Sequence, residues 1–324
     1  MKNNPQKRPS IGVALSGGSS RAIAHIGVLE VFKENDIPID YLVGCSSGAF
    51  VAVSFAADTM EFLKHWMHTT DLIKMISLWK FKAARNGGLF NFDNAKEDLS
   101  SIVNGLTFEN AHPKLGLVAA DVNSGELVTV SWGDMETAMR ASCAVPGLFE
   151  PIVWGDKVLV DGGLVNIVPT VPVKQMGADI VVGINVSGAR FIYEHKLPLW
   201  RRYRALVKLL GIQYGKDKLR MIKDIILKRF NWESFDTKQL SNPGIIKIMT
   251  QALDHSMRIS DQWTDADMAC DVMITPQVKQ YRKAEFSELD KIYEEGRRSA
   301  LEALPKIKRA IAEYESQQIK ELIK

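Results

Sequence analysis

Gly44-Cys45-Ser46-Ser47-Gly48 is the stretch that most narrows what this chain can fold into. It follows a short apolar run, Tyr41–Val43, and precedes a long stretch of small and apolar residues, Ala49–Ala57. Strand, sharp turn with a serine at its tip, then helix is the context that a nucleophile elbow requires. Gly44 and Gly48 have a steric reason, because side chains beside the strained serine would collide with the adjoining strand and helix. The helix turns its N-terminal N–H groups toward the serine, where they favour developing negative charge. Taken alone, Gly-x-Ser-x-Gly equally describes a Gly/Ser-rich turn with no chemistry, so its partners elsewhere in the chain have to decide.

Upstream, Ile11–Leu15 reads as a buried strand. Ala22–Phe32 reads as a helix with Ile23, Ile26, Val28, Leu29 and Phe32 on or near one face. With Tyr41 opening the next strand this is a βαβ unit, so the strands should be parallel and the crossover right-handed. Ser16-Gly17-Gly18-Ser19-Ser20-Arg21 joins the first strand to the helix. A dinucleotide site is excluded: the spacing is not G-x-G-x-x-G, and the second strand ends in a serine elbow rather than in an acid for a ribose. The N–H groups of Gly17, Gly18 and Ser19 suit an anion-binding nest, which beside a nucleophile is an oxyanion hole. Arg21 either braces this loop, meets a phosphate, or is a solvated arginine at a helix start. His25, on the helix, is read as a packing residue.

Glu61–Phe81 is rich in aromatic and aliphatic residues and reads either as core helices or as an apolar wall or lid for an acyl chain. His65 and His68 lie three apart in it, but with no third ligand nearby they are taken as surface or packing residues. Leu115–Ala120 and Leu127–Trp132 flank Asn123-Ser124-Gly125, and Ile152–Trp154 and Val158–Val160 flank Gly155-Asp156-Lys157, giving two hairpins. Met135–Ala141 is helical. Asp161-Gly162-Gly163 ends the second hairpin. An Asp there is either an Asx turn or an active-site carboxylate, since such groups lie beyond strand ends in open α/β sheets. A helix through Gln175 and a buried strand, Ile180–Val186, keep the α/β pattern to about residue 187.

Residues 190–232 change character. Arg201, Arg202, Arg204, Lys208, Lys216, Lys218, Arg220, Lys223, Lys228 and Arg229 alternate with Trp200, Tyr203, Leu206, Ile222, Phe230 and Trp232. That is either a basic amphipathic surface for an anionic membrane or the solvated face of a helical insertion. No nucleic-acid recognition motif accompanies it, and a net charge of +3 is too mild to imply one. Gly244–Ile259 reads as a helix and Val272–Pro276 as a last short strand. A charged amphipathic helix starts at Ser287, capped by it with Asp290 three residues on, and Pro305 begins or kinks its second half. Cys45, Cys143 and Cys270 are too far apart for a metal pair or a disulfide framework. The N-terminus lacks the apolar core of a secretory signal, and no apolar run approaches the ~18 residues of a membrane span. The expected compartment is the cytoplasm, with peripheral attachment to the inner membrane face through residues 190–232.

Three separated stretches agree in order and spacing: Gly17–Arg21, Gly44–Gly48, and Asp161-Gly162-Gly163 with Asn166 and Pro169. Together they resemble the patatin-like phospholipase family. Ala141–Phe149 is similar to the family's loop between elbow and Asp. The match covers about residues 11–187, and 245–276 thinly. The resemblance implies a three-layer α/β/α sandwich with a mostly parallel sheet, a Ser46–Asp161 dyad, and an oxyanion hole from Gly17, Gly18 and Ser19. It implies hydrolysis of phospholipids or other fatty-acyl esters without metal or cofactor. Two positions depart from the pattern: Ser19 and Ala22 stand where glycines are usual. A neutral-ester lipase and a weakly catalytic lipid-binding scaffold are the alternatives. The expected organisation is a core at 8–187, a basic helical insertion at 188–242, and at 243–324 the completion of the core with C-terminal helices.

Overall fold

A computed structural model describes residues 8–70, 80–81, 90–92, 95–187, 270–281 and 286–323. The strands among them are β1 (Ile11–Leu15), β2 (Tyr41–Cys45), β3 (Lys80–Phe81), β4 (Phe90–Asn91), β5 (Lys114–Asp121), β6 (Leu127–Val130), β7 (Ile152–Trp154), β8 (Lys157–Asp161), β9 (Ile180–Ile184) and β10 (Val272–Ile274). The helices are α1 (Ile23–Glu34), α2 (Ser47–Ala56), α3 (Met60–Thr69), α4 (Lys96–Val103), α5 (Met135–Ser142), α6 (Thr170–Gln175) and α7 (Leu289–Ile323).

Five strands run parallel in the order β10-β9-β1-β2-β5, and β6, β7 and β8 extend the sheet antiparallel. The parallel strands read as unbroken apolar runs because both faces are covered. Their side chains alternate between the two faces. Ile11, Val13, Leu15, Leu42, Leu117 and Val182 join the large core with α1, α2, α4, α5 and α7. Ala14, Val43, Cys45, Val118 and Val181 join a smaller core with Val173 of α6. The result is a three-layer α/β/α sandwich that is lopsided: among the described residues nearly all the helical mass lies on one face.

Both expected hairpins are present. Other boundaries differ. Helix α2 begins at Ser47 rather than Ala49, because Gly44 and Gly48 let strand and helix meet with no spacer. A Cβ on Gly44 would stand 2.5 Å from Ala49 Cα, and one on Gly48 2.6 Å from the Ser16 carbonyl oxygen. Of the stretch Glu61–Phe81, residues 61–69 are helical and 71–79 lie outside the described residues. Thr70 is extended, and Lys80 and Phe81 pair antiparallel with Asn91 and Phe90. Helix α7 starts later than the Ser287 cap implies: Ile292 N–H donates to Glu288 O, so Glu288 occupies the cap position. Pro305 does not divide that helix, which runs through it. The stretches 188–242, including the basic residues, and 244–259 lie outside the described residues.

Candidate active site

Ser46 sits between the last residue of β2 and the first of α2, with φ 52° and ψ −125°. A left-handed φ at a non-glycine residue is uncommon and persists only where the surroundings over-determine it. Three contacts do so here. Gly44 and Gly48 admit the close packing just described. Ser46 N–H donates to Ser142 Oγ at 2.9 Å, and Ser142 Oγ donates to Val118 O at 2.7 Å. Ser142 is fully buried at the end of α5, so it pins the elbow to β5. Its role was not read from the sequence; the only signal was its place in the Ala141–Phe149 loop.

Asp161 reaches Ser46 from 115 positions away: Ser46 Oγ donates to Asp161 Oδ2 at 2.7 Å. Strand β5 brings them together. Val118 is paired with Cys45 of β2 and Ala119 with Asp161 of β8. The other edge of both residues is taken by β6, through Thr129 and Val128. A strand has only two edges, so β2 and antiparallel β8 share one edge of β5 and meet there end to end. An Asx turn and a bond to the serine are then made by the same carboxylate. Oδ1 accepts Gly163 N–H at 2.8 Å and caps the short 3-10 turn Gly162–Leu164, while Oδ2 is left for the serine. Gly162 has to be glycine, since a Cβ there would stand 2.5 Å from Val118 O. A Cβ on Gly163 would stand 3.0 Å from Asp161 Oδ1. Asp161 is 6% exposed.

The glycine loop lies against the same serine, and a Cβ on Gly17 would stand 3.0 Å from Ser46 Cβ. Its N–H groups are not equivalent. The Ser16–Gly17 peptide is held at both ends: Ser16 O is bonded by His25 Nε2 at 2.8 Å, and Gly17 N–H donates to Ile167 O at 3.3 Å. Of the three expected donors, the Gly17 N–H therefore already faces a backbone carbonyl. Gly18 N–H donates to Ser47 Oγ at 3.0 Å, an acceptor on a rotatable side chain. Ser19, at φ 57°, opens the 3-10 turn Ser19–Ala22, where an N–H has no intrahelical acceptor.

Arg21 is not solvated. It is 5% exposed and its guanidinium donates to backbone carbonyls of Ser187, Lys279 and Tyr281. His25 is fully buried, and burial drives its pKa down to about 4 against the bond to Ser16 O. It does not touch Ser46 or Asp161 through any described bond. Instead it supports the loop behind them. Burial first, then the Asp161 charge, pushes the thiols of Cys45 and Cys143 well above the usual cysteine range, so both stay protonated beside Ser46 and Asp161. His68 bonds Asp290 at 2.9 Å and Lys64 O at 2.8 Å, tying α3 to α7 as a packing residue. Among the described residues no three His, Cys, Asp or Glu side chains gather as a metal site would need.

Comparison with known proteins gives a consistent picture. Residues 13–174 match the family model described as patatin-like phospholipase, a span that includes the glycine loop, the elbow and Asp161. Uncharacterized NTE family proteins of Mycobacterium bovis and Mycobacterium tuberculosis are 27% identical over 181 residues, which is 56% of this chain and 50% of theirs. A lysophospholipase NTE1 of Coccidioides immitis is 28% identical over 183 residues, 55% of this chain and 12% of that one. A lysophospholipase nte1 of Emericella nidulans is 24% identical over 302 residues, 92% of this chain and 18% of that one. The chain therefore spans half the length of the mycobacterial relatives and a small part of the others. Among solved structures, VipD from Legionella pneumophila covers 79% of this chain at 14% identity and a TM-score of 0.36.

Proposed function

The chain belongs to the patatin-like phospholipase family, and from that premise we propose that it is a serine hydrolase of lipid acyl esters, of the phospholipase A or lysophospholipase type. The observation that carries the reading is the 2.7 Å bond from Ser46 Oγ to Asp161 Oδ2 at the tip of a strained strand-to-helix turn. In the proposed reaction Ser46 Oγ attacks the ester carbonyl while its proton passes to Asp161 Oδ2. Collapse of the tetrahedral intermediate breaks the bond to the leaving alcohol, which takes that proton. Water then attacks the acyl-serine, again giving its proton to Asp161, and Ser46 is regenerated.

The oxyanion takes the Gly18 N–H in place of Ser47 Oγ, a change that needs only rotation of the Ser47 side chain. Ser19 N–H and the N-terminus of α2 complete the positive lining, and Gly17 contributes room rather than a donor. Each such donor is worth about 3–4 kcal/mol in the transition state. The basic stretch 190–232 is proposed to hold the enzyme on anionic membranes, beside its substrate.

Labelling with a fluorophosphonate probe tests the assignment. The wild-type chain should be modified at Ser46, and Ser46→Ala should not. Asp161→Asn should lower kcat on a phospholipid or lysophospholipid by about 10²–10⁴-fold. Retention of most activity in that variant would reject Asp161 as the base. A second reading, a lipid-binding protein with little turnover, is favoured by one observation: the Gly17 and Gly18 N–H groups are both engaged within the protein. An unlabelled wild-type serine would select it.

A further inference from the structure

We propose that Arg21 is a positioning residue for this reaction: through it, the two chain segments that leave the C-terminal ends of β9 and β10 hold the oxyanion loop in place. The inference rests on the assignment of Ser46 as nucleophile. Arg21 Nη1 donates to Ser187 O at 2.8 Å, Nε to Tyr281 O at 2.9 Å, and Nη2 to Lys279 O at 3.2 Å and to Tyr281 O. Ser187 follows β9, and Lys279 and Tyr281 follow β10, so one side chain ties three parts of the chain together.

Every one of these acceptors is a neutral carbonyl. Among the described residues no carboxylate makes an ion pair with Arg21. A buried cation without a counter-charge is expensive, which argues that the residue serves geometry and not stability. A planar fork can satisfy three separated carbonyls at once, and an ammonium at the end of a flexible chain cannot. Burial lowers the arginine pKa, as expected for a cation taken from water with no opposite charge beside it.

The route from the guanidinium to the oxyanion runs through one peptide group. Arg21 N–H donates to Gly18 O at 3.3 Å. That carbonyl belongs to the Gly18–Ser19 peptide, which is planar, so its far end, the Ser19 N–H, points the opposite way. Whatever fixes Arg21 therefore fixes the direction of the Ser19 donor. Ser19 also sits at φ 57°, a conformation that a non-glycine residue keeps only under external constraint. Here the clamp at Arg21 supplies the constraint. A shift of either segment would move the clamp and, with it, the donor.

The test uses the full-length chain with Arg21→Lys and Arg21→Gln. Three readouts are needed: ester hydrolysis resolved into kcat and KM, the rate of fluorophosphonate labelling at Ser46, and amide hydrogen exchange in peptides spanning residues 16–22. Arg21→Gln should lower kcat by about a hundredfold, as displacement of a reacting group by an ångström does, with KM little changed. Exchange in residues 16–22 should rise by about tenfold while the middle of α1 keeps its protection. Arg21→Lys should fall between that variant and wild type. Wild-type exchange and kcat in Arg21→Gln would overturn the proposal, and so would an effect confined to KM, which would mark Arg21 as a ligand for the substrate. If neither variant folds by circular dichroism, Arg21 is a folding residue and the proposal fails. If the wild-type chain is not labelled at all, the nucleophile assignment fails instead, and the exchange readout still decides whether Arg21 holds the loop.

Discussion

His25 shows how much a single side chain can do without touching a substrate. Its Nε2 bonds the Ser16 carbonyl, and its Nδ1 is buried with no hydrogen-bond partner among the described residues. The ring is therefore neutral, with the proton on Nε2 facing that carbonyl. From the sequence it was a packing residue, and so it is, but what it packs is the peptide that carries the Gly17 N–H. The cost of this placement can be measured. The unfolded imidazole binds a proton near 6.5, the folded one only near about 4. Between those values the unfolded chain holds more protons, so stability is fully present above pH 6.5 and drains away as pH falls toward 4. The full displacement amounts to about 3 kcal/mol. His25→Gln keeps an amide donor and does not titrate. Urea unfolding should show wild type losing about 2–3 kcal/mol more than this variant between pH 6.5 and pH 4. Equal losses would mean that the folded protein protonates His25 freely.

At the scale of elements, β1, β2, β5 to β9 and the turns between the hairpin strands were legible because their signals are local. Apolar runs of strand length, Gly/Asn/Asp turns and the elbow all appear within a few residues of one another. Two juxtapositions were not. Nothing in Lys157–Asp161 says that β8 will abut the end of β2 along β5, because that depends on the register of three strands. The docking of α7 on α1 was equally hidden. Glycine inside a helix reads as a weakness, yet Gly27 and Gly296 are where the two helices touch. A Cβ on Gly296 would stand 2.1 Å from Ala24 O, and one on Gly27 2.5 Å from Tyr293 O. Around this contact Arg297 reaches Glu34 at 2.8 Å, and Tyr293 OH bonds Glu30. Helix propensity alone says that Gly296→Ala should stabilise by up to about 1 kcal/mol. The contact says the reverse, because the clash is with backbone that cannot swing aside. The variant should lose about 1–3 kcal/mol in chemical denaturation. A gain in stability would show that the helices do not meet at these glycines.

Taken as a whole, the molecule gathers its chemistry at the carboxyl ends of its parallel strands. The glycine loop leaves β1, the elbow leaves β2, and Ser187 and the 279–281 segment leave β9 and β10, as ligand sites in open α/β sheets do. The stretch that holds residues 190–232, the most basic part of the sequence, starts directly after Ser187, at the end of β9 that faces the site. Its ten Lys and Arg residues from Arg201 to Arg229 give the membrane reading a quantitative form. Each basic residue near an anionic leaflet contributes about 1 kcal/mol. Replacing Arg201, Arg202, Arg204 and Lys208 with Gln should then remove about 4 kcal/mol, close to a thousandfold in partition onto phosphatidylserine-containing vesicles. Raising the salt from about 0.1 M to about 1 M should release the wild-type chain too, because the screening length falls from about 10 Å to about 3 Å. Hydrolysis of a soluble short-chain ester should be unaffected by the four substitutions, whereas hydrolysis of vesicle phospholipid should fall with binding. Flotation that survives them undiminished would assign the stretch to an ordinary solvated surface and leave the enzyme to find its lipid by some other part of the chain.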